Sequence, residues 1–135
     1  MKTPVEIVKL MLSADTFSKW MGLEIIDISK GSCTLQCKVH PEMLNGFEIL
    51  HGGISYSLSD SALAFSSNSY GYKCVSIETS ISHIQPVKLN ETLTVKSEEV
   101  HRGKSFGIYS ITITNQNGIL ISKFKGTVNI SKEIW

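Results

Sequence analysis

The stretch from Met43 to Asn68, MLNGFEILHGGISYSLSDSALAFSSN, contains two residue choices that cost a fold something. The pair Gly52-Gly53 follows His51 and opens a run with helical periodicity, and a single carboxylate, Asp60, stands in the middle of that run. Glycine is poor helix material and a carboxylate is poor core material. Both have chemical uses. The first backbone N–H groups of a helix lack intrahelical partners and carry the positive end of its dipole. Glycines there let a substrate approach the amides closely, which makes an anion or oxyanion site. Alone, the HGG triplet reads as a simple turn. Paired with Asp60, it gains a chemical meaning, because a poorly solvated carboxylate can act as general base or nucleophile.

The spacing constrains how the two groups can cooperate. Asp60 lies seven residues after Gly53. At about 1.5 Å per residue, that is roughly 10 Å along a helix axis. Oxyanion donor and attacking group must both sit about 3 Å from one carbonyl. One chain can hardly satisfy both. Two antiparallel helices from different chains can, so the spacing predicts a homodimer with two composite sites.

The helix that must carry these groups has two faces. Ile54, Leu58, Ala62 and Phe65 form one stripe, which is expected to bury against a sheet. Tyr56, Asp60, Leu63 and Ser67 fall on the opposite side. From Ile54 to Tyr70 no residue other than Asp60 is charged, although exposed helices ordinarily carry Lys and Glu. That second face is therefore expected to be a contact surface or a site wall.

Flanking segments supply the sheet. Residues 4–20 read as one amphipathic helix, with Pro4 in its first turn. GLEIIDISKG and SCTLQCKVH read as a hairpin turning at Lys30-Gly31. In KCVSIETSISHIQPVK, strict alternation puts Val75, Ile77, Thr79 and Ile81 on one face. ETLTVKSEEVHRGK, FGIYSITITNQNG and ILISKFKGTVNISK follow, with a turn signal at Asn115–Gly118. Runs of strands without regular helical crossovers predict an α+β fold, an antiparallel sheet wrapping one helix. No linker or repeat divides residues 1–135, so one domain is expected.

Composition narrows the function classes. With 41% hydrophobic and 19% charged residues the chain reads as globular, and a net charge of +1 implies no strong pull toward nucleic acid or membranes. No apolar run reaches the length of a membrane span, and Glu6, Lys9 and Asp15 interrupt any signal-peptide pattern. Three cysteines without a CxxC motif read as reduced thiols in a cytoplasmic protein. No metal site is expected, since His51 has no second ligand at short spacing.

The chain resembles the hotdog-fold acyl-CoA thioesterases, in particular the PaaI-like group. The resemblance runs from MGLEIIDISKGSCTLQCKV through HRGKSFGIYSITITNQNG and is most specific at Asn45-Gly46, His51-Gly52-Gly53 and Asp60. It implies a long helix wrapped by an antiparallel sheet, dimers joined sheet edge to sheet edge, and often a dimer of dimers. It implies that the Gly53 amide polarises the thioester carbonyl and that Asp60 is base or nucleophile, a choice left open. Asn45 and His51 would order the loop and contact the pocket, and Ser67 would assist water or substrate. Arg102, Gly103 and Lys104 would meet the CoA moiety, with Lys88, Lys123 and Lys125 as further phosphate contacts. CoA is then part of the substrate and no separate cofactor is implied. Asp rather than Glu at position 60 argues against a dihydroxynaphthoyl-CoA substrate. His40, His83 and His101 read as structural, with His83 ending a strand near the pocket. The alternative activity is a non-catalytic acyl-CoA-binding hotdog module.

Overall fold

Asp15 divides the N-terminal helical stretch, and a computed structural model, which describes residues 1–135, shows two helices where the periodicity predicts one. Helix α1 spans Pro4–Ala14 and α2 spans Thr16–Met21. The physical reason is competition for Asp15. Its carboxylate accepts from the Ser18 N–H at 3.0 Å and so caps a new helix instead of continuing the old one. Thr3 and Glu6 form a capping box at the start of α1.

Strands β1 (Glu24–Ser29) and β2 (Ser32–Lys38) form the expected hairpin, and Gly31 supplies the left-handed residue of its turn at φ 78°. A short 3-10 turn at Pro41–Met43 then leads to the central helix α3, Gly52–Asn68. Strands β3 (Tyr72–His83), β4 (Thr92–Arg102), β5 (Phe106–Thr114) and β6 (Leu120–Ile134) follow. All six strands make one antiparallel sheet in the order β1-β2-β4-β5-β6-β3, wrapped around α3.

The expected stripe of α3 is buried: Ile54, Leu58, Ala62 and Phe65 all belong to the core with Leu35, Val95, Tyr109 and Ile111. The second face differs from its expectation. Tyr56 and Asp60 are partly exposed, whereas Leu63 and Ser67 are buried. Leu63 fits because residue 126 of β6 is a glycine, and a Cβ there would collide with the Leu63 side chain. Strand β6 thus covers part of the second face as well, while α1 and α2 also pack on α3, Ser18 and Ser61 lying 2.9 Å apart between their hydroxyls.

Strand β3 also departs from strict alternation. A register shift between Ser76 and Glu78 inserts one extra residue. A bulge of this kind reverses which side chains face the core. Cys74 and Ser76 point toward α3 before it, and Thr79, Ile81 and His83 after it, as their ladder partners Ile130, Val128, Gly126, Phe124 and Ser122 show. Val75 and Ile77 are consequently 65% and 63% exposed, on the outer side of a strand with no neighbour on its far edge.

Candidate active site

The loop before α3 is built by Asn45 and His51. The Asn45 Oδ1 accepts from the Phe47 N–H at 2.9 Å and the Ile49 N–H at 3.4 Å, and Asn45 N–H donates to the Ile49 carbonyl. The His51 N–H donates to the Met43 carbonyl at 2.8 Å. Its Nδ1 accepts from the Gly53 N–H at 2.9 Å, so the imidazole is the N-cap of α3. This ordering fits the loop-holding part expected of both residues.

It also changes which amide is available. The Gly53 N–H is occupied by the His51 ring. Gly52, the first helical residue, has no carbonyl behind it within the helix, and its N–H donates to no other group of the chain. Gly52 rather than Gly53 therefore presents the free donor. It opens onto a cavity of about 410 Å³ whose walls include Ile49, Leu50, His83, Val87 and Ile121. His83 does end a strand beside this pocket, as expected.

Asp60 lines a separate cleft of about 220 Å³ with Leu63, Ala64, Ser67, Cys74, Ser76 and Val128. Burial among these groups pushes the Asp60 carboxyl above the usual aspartate range. No hydrogen-bond donor of the chain holds the carboxylate. Ser67 shares this cleft, but its hydroxyl donates to the Ala64 carbonyl at 3.3 Å and is fully buried. Ser76 presents a hydroxyl to the same cleft and is exposed. The alternating pattern of the sequence hides Ser76, since only the bulge turns it inward.

The turn after β4 lies at the end of the sheet where β3 begins and β6 ends. Arg102, Gly103 and Lys104 line a cleft of about 340 Å³ with Tyr72, Ile130 and Lys132. Tyr72 and Ile130 stand next to the Cys74 and Val128 of the Asp60 cleft, so the two clefts continue one another. Arg102 itself points inward. Its Nη1 donates to the Ser67 carbonyl at 3.0 Å and the Tyr109 hydroxyl at 3.1 Å, and its guanidinium stacks 4.0 Å from the Tyr70 ring. Lys104 and Lys132 are the exposed cations of this cleft. Lys123 and Lys125 are held elsewhere, on the outer face of the sheet, by Thr112 and Glu78. Lys88 lies in the β3–β4 loop, its N–H donating to Glu91. His40 packs edge-on against Trp20 at 4.9 Å and His101 packs on Phe106 at 5.1 Å, both structural contacts.

The geometry thus holds an amide donor beside an apolar cavity at one end of α3 and a half-buried carboxylate two turns along it. Comparisons with known proteins place the chain in a family. Residues 47–122 match the thioesterase superfamily. The chain is 34% identical to acyl-coenzyme A thioesterase PaaI of Escherichia coli over 86% of its length and 83% of that protein's. It superimposes on the structure of E. coli PaaI with a TM-score of 0.94, covering 97% of this chain and 95% of that one at 30% identity. A hypothetical thioesterase protein of Streptococcus pneumoniae solved with coenzyme A aligns with a TM-score of 0.81 at 29% identity, over 84% of this chain and 91% of that one. Human acyl-coenzyme A thioesterase 13 is 28% identical over 93% of this chain and 92% of its own. The α+β hotdog architecture is therefore shared with these relatives, and the chain belongs to the thioesterase superfamily, on its PaaI-like side.

Proposed function

We propose that the protein hydrolyses the thioester of an acyl-CoA, with an aryl-acetyl or medium- to long-chain acyl group, to the free acid and CoA. The observation that carries this reading is the division of labour along α3. A free Gly52 N–H faces an apolar cavity, and the unpaired Asp60 carboxylate lies eight residues away. That is roughly 12 Å along the axis, too far for one carbonyl to meet both. Two chains related by a two-fold axis, with their α3 helices antiparallel, resolve the mismatch.

Strand β3 supports such a pairing. It is an unpaired edge with Tyr72, Val75 and Ile77 exposed, and an open apolar edge is a natural seam between sheets. In the composite site, the carbonyl accepts from Gly52 of one chain. Asp60 of the other either takes the proton from an attacking water or attacks the carbonyl carbon itself. Water attack gives the acid directly as CoA leaves as the thiolate. Direct attack expels the same thiolate but leaves an anhydride between Asp60 and the acyl group, which a water then hydrolyses to the acid and the free carboxylate. Lys104 and Lys132 stand where the CoA phosphates would lie if pantetheine followed the cleft from Asp60, and the reaction needs no cofactor beyond the substrate. Three free, buried thiols suit a reducing cytoplasm. Burial raises Cys33 and Cys37 to about 11, which keeps them as inert thiols. A dimer of dimers is the proposed assembly.

A panel of acyl-CoAs with a free-thiol readout tests the activity. Release of CoA from at least one aryl-acetyl or medium- to long-chain ester is expected. Tight binding without thiol release across the panel would instead mark an acyl-CoA-binding module.

A further inference from the structure

His83 ends β3 beside the start of α3, and the edge of its ring faces Gly52. Its Nε2 and Cε1 each lie 3.1 Å from where a Cβ on residue 52 would stand. Ring and glycine share one wall of the cavity of about 410 Å³. Neither ring nitrogen bonds another group of the chain, and the Gly52 N–H is equally unspent. The Gly52 N–H and the His83 ring thus border one pocket, whose remaining walls include the apolar Ile49, Leu50, Ile84 and Val87 and the polar Ser55 and Gln85; of the polar side chains, only His83 stands directly against Gly52.

A second observation lies across the ladder. Ser122 is the direct partner of His83 in β6, and directly opposed residues project from the same face of a sheet. Ser122 is fully buried, and its hydroxyl has no hydrogen-bond partner. Such a group is costly unless something satisfies it. The Ser122 hydroxyl makes no bond to the ring in this structure; a side-chain rotation that lets it donate to His83 Nδ1 would satisfy it, and the imidazole proton would then sit on Nε2, the atom at the cavity wall.

We propose that His83 Nε2–H is a second oxyanion donor, acting beside the Gly52 N–H, and that Ser122 is the positioning residue that fixes its tautomer. The proposal rests on the hydrolase reading above. When the attacking oxygen bonds to the thioester carbon, the carbonyl π pair moves onto oxygen, and these two N–H groups hold that charge. Collapse restores the C=O bond, breaks the C–S bond and expels the CoA thiolate. The oxygen carries more charge in the transition state than in the bound ester, so the effect of the donor falls on kcat more than on KM.

Steady-state kinetics of His83→Phe and His83→Gln, each shown to fold by circular dichroism and thermal melting, test this on the best substrate of the acyl-CoA panel. His83→Phe keeps a flat ring but no donor, and should lower kcat by about 10-fold to 100-fold with KM within about twofold. His83→Gln restores an N–H and should recover most of that loss. Ser122→Ala should lower kcat in the wild-type background and change nothing further in His83→Phe. An unchanged kcat in His83→Phe, a loss confined to KM, or a His83→Gln as impaired as His83→Phe overturns the donor role. Additive losses for Ser122→Ala overturn its positioning role. A wild-type protein inert toward the whole panel sinks the hydrolase reading and this inference with it, whereas an active wild type with an unimpaired His83→Phe sinks the inference alone.

Discussion

Asp60 is held half out of water with no donor to stabilise its charge, and that single circumstance sets two opposed expectations. For chemistry, Asp60→Asn keeps the shape but is neither base nor nucleophile. Its kcat should fall by about 10²- to 10⁴-fold while acyl-CoA binding survives, as measured by turnover and calorimetric titration. The acid limb of kcat/KM in the wild type should have its midpoint above 3.8, the ordinary aspartate value, because burial raises the carboxyl. For stability the sign runs the other way. A carboxyl whose folded value lies above its unfolded one contributes fully below about pH 3.8 and loses that contribution as pH rises through the folded value. Asp60→Asn removes the loss, so the variant should unfold at higher denaturant than wild type near pH 7, and the two should converge at acid pH. Equal midpoints at pH 7 would show that the carboxylate is not desolvated. Asp60 was legible in the sequence because no other charge accompanies it on α3. The donor at the helix start was legible only to within one residue. Whether Gly52 or Gly53 is free depends on where the His51 ring turns, and residue types alone do not say that it caps the helix through Nδ1.

At the scale of the element, small departures from ideal periodicity decide what each side chain does. The α3 stripe Ile54–Leu58–Ala62–Phe65 obeys helical spacing and was readable from the sequence. The bulge in β3 was not readable. Nothing in KCVSIETSISH marks one residue as extra, and the shift emerges from pairing with β6. It turns Ser76 toward Asp60 and Val75 and Ile77 toward solvent. The burial of Leu63 was equally hidden, since it depends on Gly126, far away in sequence. That contact makes a sharp test. Gly126→Val would press a branched side chain onto the Leu63 methyls, and Leu63, 1% exposed, could give way only toward the Asp60 cleft. Overpacking of this kind should cost about 1–3 kcal/mol in urea unfolding. It should also reduce activity, because Leu63 lines the Asp60 cleft. A fully stable Gly126→Val would mean that β6 and α3 can separate without penalty. The basic turn offers a milder test. Lys104→Ala should raise KM for acyl-CoA with little change in kcat, and the difference should shrink at high salt, as screening of an exposed cation demands.

For the whole molecule, the separation between Gly52 and Asp60 becomes a statement about assembly. On the proposed reading, an isolated chain holds both halves of a site and no complete site. Sedimentation should therefore find no active monomer at assay concentration. A stronger expectation concerns two inactive variants mixed together. Let one chain carry Asp60→Asn and the other Gly52→Val, whose side chain would meet the His83 ring and crowd the donor. Each homodimer then has two broken sites. In a mixed dimer one site collects both defects, while the other joins an intact Gly52 to an intact Asp60. Random reassortment of equal amounts makes about half of the dimers mixed, each with one of its two sites alive. Roughly a quarter of wild-type activity should therefore return if the sites act independently. Both variants must first be shown to fold and to exchange subunits, since Gly52→Val also burdens the helix start. With exchange demonstrated, restored thiol release means that the oxyanion amide and the carboxylate come from different chains. Silence after demonstrated exchange would place the whole site within one chain, and α3 would then have to bend or the substrate reach across the full distance between its two ends.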